Sequence, residues 1–142
     1  MLKSVQLLLL ASILDEAAEA QVPADVAVAA CGEPALDLTP AVRSAGRQSR
    51  VYNNLTVRLH ALEVDDDVAP LRDRASRLFA YHELLLQQAM TLACDAQTDP
   101  RFEPARLRLN GVGAPGDALR RLRTEVRALA QAAGGGEAAA GA

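Results

Sequence analysis

The stretch VAPLRDRASRLFAYHELLLQQAMTLACDA, residues 68–96, decides the fold. Val68, Leu71, Ala75, Leu78, His82, Leu85, Ala89, Leu92 and Ala96 follow one another in alternating steps of three and four. That spacing lines one face of a helix and is the heptad seam of helices packed side by side. Phe79, Leu86 and Ala93 flank the seam and widen it, as expected for a helix with two neighbours. Pro70 falls in the first turn, where a missing amide costs no helical hydrogen bond.

Working outward, Thr39-Pro40 marks the start of a helix running to about Leu62, with Thr39 as cap and Pro40 at the first position. Its apolar face is expected through Ala41, Ser44, Gln48, Val51, Leu55, Leu59 and Leu62. Asp65-Asp66-Asp67 separates it from the central stretch. The cluster suits the positive end of the helix that follows and lacks the alternating ligands of a calcium loop. At the front of the chain, Leu2, Val5, Leu9, Ile13 and Ala17 predict a first helix from Leu2 to Ala20, which Pro23 ends. Leu7, Leu8 and Leu10 make it apolar nearly all round, the mark of a helix central in a bundle or buried against a second subunit. Between residues 24 and 38 the pattern is two-sided: Asp25 suits the cap of a short helix, Val26–Cys31, closed by Gly32, which is the favoured reading, while Val26 and Val28 also fit a short extended run.

After the central helix, six Pro and Gly residues between Asp99 and Gly116 predict a long connection, with a hairpin-like excursion around Arg106–Leu109 and Asn110-Gly111. Asp117 caps a last helix carrying Leu119, Leu122, Val126, Leu129 and Ala133. Gly134 to Ala142 reads as a disordered Gly/Ala tail. The expectation is therefore an all-α, compact bundle of about four helices, one domain over residues 1–133, with a disordered tail over 134–142. A chain of 142 residues suffices for one core.

Composition narrows the function classes. The net charge is −3, and the first forty residues hold six acids and one Lys, against fourteen Arg and twelve acids in the rest. That balance argues against binding to polyanions, although Arg120, Arg121, Arg123 and Arg127 on the last helix, with Arg101, Arg106 and Arg108 just before it, are candidate anion contacts and the basis of a second alternative, a nucleic-acid-associated regulator. Pairing of those arginines with the acidic front of the chain is the more economical use. Cys31 and Cys94 stand too far apart in sequence for a zinc or redox motif and are expected as isolated buried thiols. The apolar run Val5–Leu14 is too short to span a bilayer. Acids at Asp15, Glu16 and Glu19 spoil the signal-peptide reading of Ala18-Glu19-Ala20, so a cytoplasmic location is expected.

The histidines are His60 and His82. With Tyr52 and Tyr81 they would line a pocket between the second and third helices, the basis of a small-ligand, metal-binding or enzymatic alternative. The chain holds His-x-x-Glu once and no Glu-x-x-His, so it lacks the ligand set of a carboxylate-bridged metal pair. No phosphate loop, dinucleotide motif or nucleophile elbow is present, and no catalytic set, metal or cofactor is expected. The leading expectation is a non-enzymatic interaction or assembly module, forming a homo-oligomer or binding a protein partner through Leu7, Leu10, Leu78, Phe79, His82, Leu85 and Leu86.

Overall fold

The computed structural model describes residues 1–141, and every regular element among them is helical. The elements are α1 (Lys3–Gly32), α2 (Thr39–Ala61), α3 (Ala69–Thr98), a 3-10 turn (Pro100–Phe102), the single turn α4 (Glu103–Arg106) and α5 (Ala114–Gly141). Gln6 meets Asp65 and Glu16 meets Arg58, Asn53 meets Glu83 and His60 meets Ser76, and Ser4 meets Glu137 and Gln21 meets Gly116, so α2 runs opposite to both α1 and α3, and α5 opposite to α1. α1 and α3 are parallel and touch each other, while α2 and α5 each pack against both. No described helix is long and apolar enough to cross a membrane.

α1 is longer than the sequence suggests, because it continues through Pro23 and absorbs the segment expected as a separate short helix. Proline removes the hydrogen bond to the carbonyl four residues earlier. Here Glu19, Val22 and Pro23 all face outward, so water can satisfy the freed carbonyl. On the opposite side Gln21, Ala24, Ala27, Val28 and Cys31 are buried, and that continuous inner face offsets the local defect. Leu7, Leu10 and Leu14 fill the other end of the core.

The buried stripes of α2 and α3 are turned slightly from the expected ones. α2 buries Ala45, Ser49, Tyr52, Leu55 and Leu59, with Val51 at the surface, because the Tyr52 hydroxyl finds the Ala17 carbonyl at 2.9 Å inside. α3 buries Phe79, Leu86 and Ala93 together with Ala75, His82 and Ala89, leaving Leu78 and Leu85 half-buried. Thr39 is already helical and caps nothing; the Asp37 carboxylate accepts its amide at 2.9 Å instead. Of the acidic cluster, Asp65 is clamped by the Gln6 amide and Asp67 by Lys3, so these groups join two helix starts.

The C-terminal segment is helical where the sequence predicts disorder. α5 continues through the three glycines to Gly141, and the final residue of the expected tail, Ala142, lies outside the described residues. Glu137 supplies the reason: its carboxylate accepts the Ser4 amide at 3.1 Å and the Ser4 hydroxyl. A carboxylate on the unpaired amides at a helix start is favourable, so each end stabilises the other. Burial is not what orders this turn, because Gly135, Gly136 and their Ala neighbours are exposed.

The long connection is also structured. Asp25 accepts the Val112 amide at 2.8 Å, Val112 is buried, and Gly111 and Gly113 take positive φ values of 143° and 62° that favour glycine. A Cβ on Gly32 would overlap the Leu109 carbonyl oxygen and lie 3.0 Å from that of Arg106. Glycine is therefore required where the loop crosses the end of α1.

Candidate functional site

Four features combine chemistry with position: a buried polar network, a buried arginine and two surface patches. The network centres on His82, whose ring is fully enclosed. Its Nδ1 lies 2.7 Å from the Leu78 carbonyl, which can only accept, so Nδ1 carries the proton. Nε2 lies 3.1 Å from the amide nitrogen of Gln21, which can only donate, so Nε2 offers its lone pair. The Gln21 amide also donates to the Gly116 carbonyl at 3.0 Å, and its oxygen accepts from Arg120 at 2.9 Å. Tyr52 stacks on the imidazole at a centroid distance of 4.9 Å. Four long helices thus meet on one neutral histidine.

The electrostatics agree with this assignment. Burial pushes the His82 pKa down from 6.5, with the Leu78 carbonyl and Asp25 opposing the shift and Arg120 adding to it. Burial, with a smaller contribution from Asp25, pushes the Tyr52 phenol well above its ordinary 10.0. Among the described residues no buried side-chain nitrogen or oxygen lacks a partner. The network spends its hydrogen-bonding capacity on itself, as a structural lock does.

Arg106 closes the other end of the bundle. It is enclosed, donates to the Cys31 and Glu33 carbonyls at 3.0 and 2.7 Å, and is held by Glu103 through Nε at 3.1 Å and a second bond from Nη2. A guanidinium on the last carbonyls of α1 satisfies acceptors that the helix leaves free and opposes its negative end. Cys31 beside it is a buried free thiol whose pKa burial raises, whereas Cys94 is free and exposed, not buried as the sequence suggested.

The structure divides the residues singled out from sequence. Tyr52 and His82 come together, but His60 is exposed with its Nε2 2.9 Å from the Ser76 hydroxyl, and Tyr81 is exposed, so the four do not line one pocket. Leu7, Leu10, Phe79, His82 and Leu86 are enclosed by the chain's own helices, and Leu78 and Leu85 are half-covered. The large apolar side chains left outside at the start of α1 are Leu2, just before it, Val5, Leu8 and Leu9; Val22 and Val26 are exposed further along the helix. Arg123 and Arg127 both bind Asp15 at 2.6 Å, holding its carboxyl below the usual range against the opposing effect of burial. Arg120 is held by Asp117 and Gln21. Of that arginine set, only Arg121 makes no ion pair among the described residues.

The sequence does not mark Gln21 or Asp25 as site residues, and it offers Arg106 as an anion contact, whereas the structure buries that side chain against backbone carbonyls and Glu103. Glu103 and Arg106 stand at the spacing of a helical ion pair, and Gln21 interrupts an Ala-rich run, but neither signal says that the group is buried. Among the described residues no three His, Cys, Asp or Glu side chains converge as a metal site would need. Comparison with known proteins finds no matching family model, no matching curated protein and no matching solved structure.

Proposed function

We propose that the protein is a non-enzymatic helical interaction module that self-associates through the outward face of α1. The observation that supports this reading is the exposure of Leu2, Val5, Leu8 and Leu9 (62, 38, 58 and 43 % exposed) on a helix whose other side already fills the core. No charged residue occurs between Ser4 and Leu14, so two copies crossing antiparallel on this face oppose no like charges. Ser12, exposed on the same side, lets the two backbones approach.

With Met1, these side chains form a small patch, against the about 20–30 residues that each partner contributes to a standard interface. The predicted dimer is accordingly weak, with a dissociation constant on the order of micromolar or higher. The interior supports a binding role over a catalytic one, since its titratable groups are enclosed and bonded to one another.

Sedimentation equilibrium over a range of concentrations tests the proposal. A monomer–dimer equilibrium that Leu8→Glu abolishes, with helix content unchanged, is the expected result. A wild-type chain that stays monomeric at several hundred micromolar, or a dimer indifferent to Leu8→Glu, overturns it.

A further inference from the structure

The sequence points to arginines along α5 as anion contacts, whereas the structure brings together a different set. A groove of 210 Å³ between α3 and α5 is lined by Arg74, Arg77, Leu78, Tyr81, Ala118 and Arg121. Arg74 is neutralised by Glu125 at 3.0 Å. Arg77 and Arg121 are exposed and make no ion pair among the described residues, unlike Arg120, which Asp117 holds next to them. Two uncompensated guanidiniums from different helices therefore share one concave surface with a tyrosine.

We infer that this groove binds a phosphate monoester. A monoester carries a charge of about −1.5 to −2 at neutral pH, which matches the two unpaired cations, and guanidinium forks match phosphate oxygens in bidentate geometry. Leu78 and the exposed Tyr81 ring form an apolar wall for the ester's organic part. The volume falls below the range of about 300–1,000 Å³ typical for drug-sized ligands, so the substituent is small or only its phosphorylated end enters. The groove shares no residue with the α1 face and stands independently of self-association.

The test is calorimetric titration of the full chain with phenyl phosphate at about 20 mM salt, where exposed charges are weakly screened. Saturable binding is expected, weakened about ten- to hundred-fold by Arg77→Ala and by Arg121→Ala. The double variant Arg43→Ala/Arg47→Ala, which removes two positive charges from α2, leaves it unchanged. Arg77 and Arg121 are exposed, so melting temperatures verify that the variants fold. A phosphoserine peptide bound more tightly than phenyl phosphate assigns the monoester to a phosphorylated protein. Equal or weaker binding of the peptide assigns it to a free small molecule. No saturable binding of phenyl phosphate, binding that survives loss of both Arg77 and Arg121, or tighter binding of a single-stranded oligonucleotide with its phosphodiesters overturns the inference.

Discussion

Acidification provides a direct test of the His82 lock. In the folded protein the ring is enclosed, Nδ1 is committed to the Leu78 carbonyl, and Nε2 faces the donating amide of Gln21 at 3.1 Å. A proton on Nε2 would set two donors against each other and charge a ring without water, so the folded pKa lies below 6.5 while the unfolded one stays near it. The unfolded state then binds more protons in that interval. Stability is full above about pH 6.5 and falls as the pH drops toward the folded pKa, with a limiting slope of about 1.4 kcal/mol per pH unit. Asp15 and Glu16 have lowered pKa values, so the stability that they contribute is lost only at more acid pH.

Urea unfolding at pH 7.5, 6.5 and 5.5 measures the effect as a falling midpoint at constant m. His82→Leu keeps the volume, and Gln21 still donates to Gly116, so the variant loses about 1–2 kcal/mol at pH 7.5 and its slope disappears. A flat wild-type profile from pH 7.5 to 5.5, or the same slope in His82→Leu, refutes the assignment of a buried neutral imidazole.

Arg106→Met strips the Cys31 and Glu33 carbonyls of their side-chain donor and frees Glu103, which should cost about 2–4 kcal/mol by urea unfolding. Arg106→Lys, with a single point charge, recovers only part of that. Gly32→Ala drives a methyl into the Leu109 carbonyl and should lower stability by about 2 kcal/mol or more, whereas Gly135→Ala enters open space on a helix and should raise it by up to about 1 kcal/mol. A thermal melt of the two variants separates the signs. Glu137→Ala removes the acceptor for the Ser4 amide and hydroxyl, so hydrogen exchange should accelerate at both the start of α1 and the end of α5. Exchange confined to one of them contradicts the mutual cap.

How much of this was legible in the sequence follows from the range of each signal. The three-and-four steps from Val68 to Ala96 repeat within single turns, so they identify α3, and the same spacing locates α2 and α5. They cannot fix rotation about the helix axis to better than a residue. Phe79 and Leu86 lie deeper than Leu78 and Leu85 because the neighbours of α3, not its own pattern, decide which side is innermost. The surface apolar face was half legible: an all-round apolar first helix announces a surplus, but only the packing shows that Leu7 and Leu10 are spent inside and Leu8 and Leu9 are not.

The sequence by itself determined the helical class, the number of long helices and the approximate starts of α2, α3 and α5, because these depend on local periodicity and turn chemistry. The tertiary structure decided that α1 runs past Pro23, that the glycine-rich end is helical, and that Gln21, His82, Tyr52 and Arg120 form one network. It also brought Arg77 and Arg121 to one groove. Each of these joins groups far apart in the chain, such as Ser4 and Glu137 or Gln21 and Gly116, and their meeting depends on helix direction and rotation that no local pattern encodes.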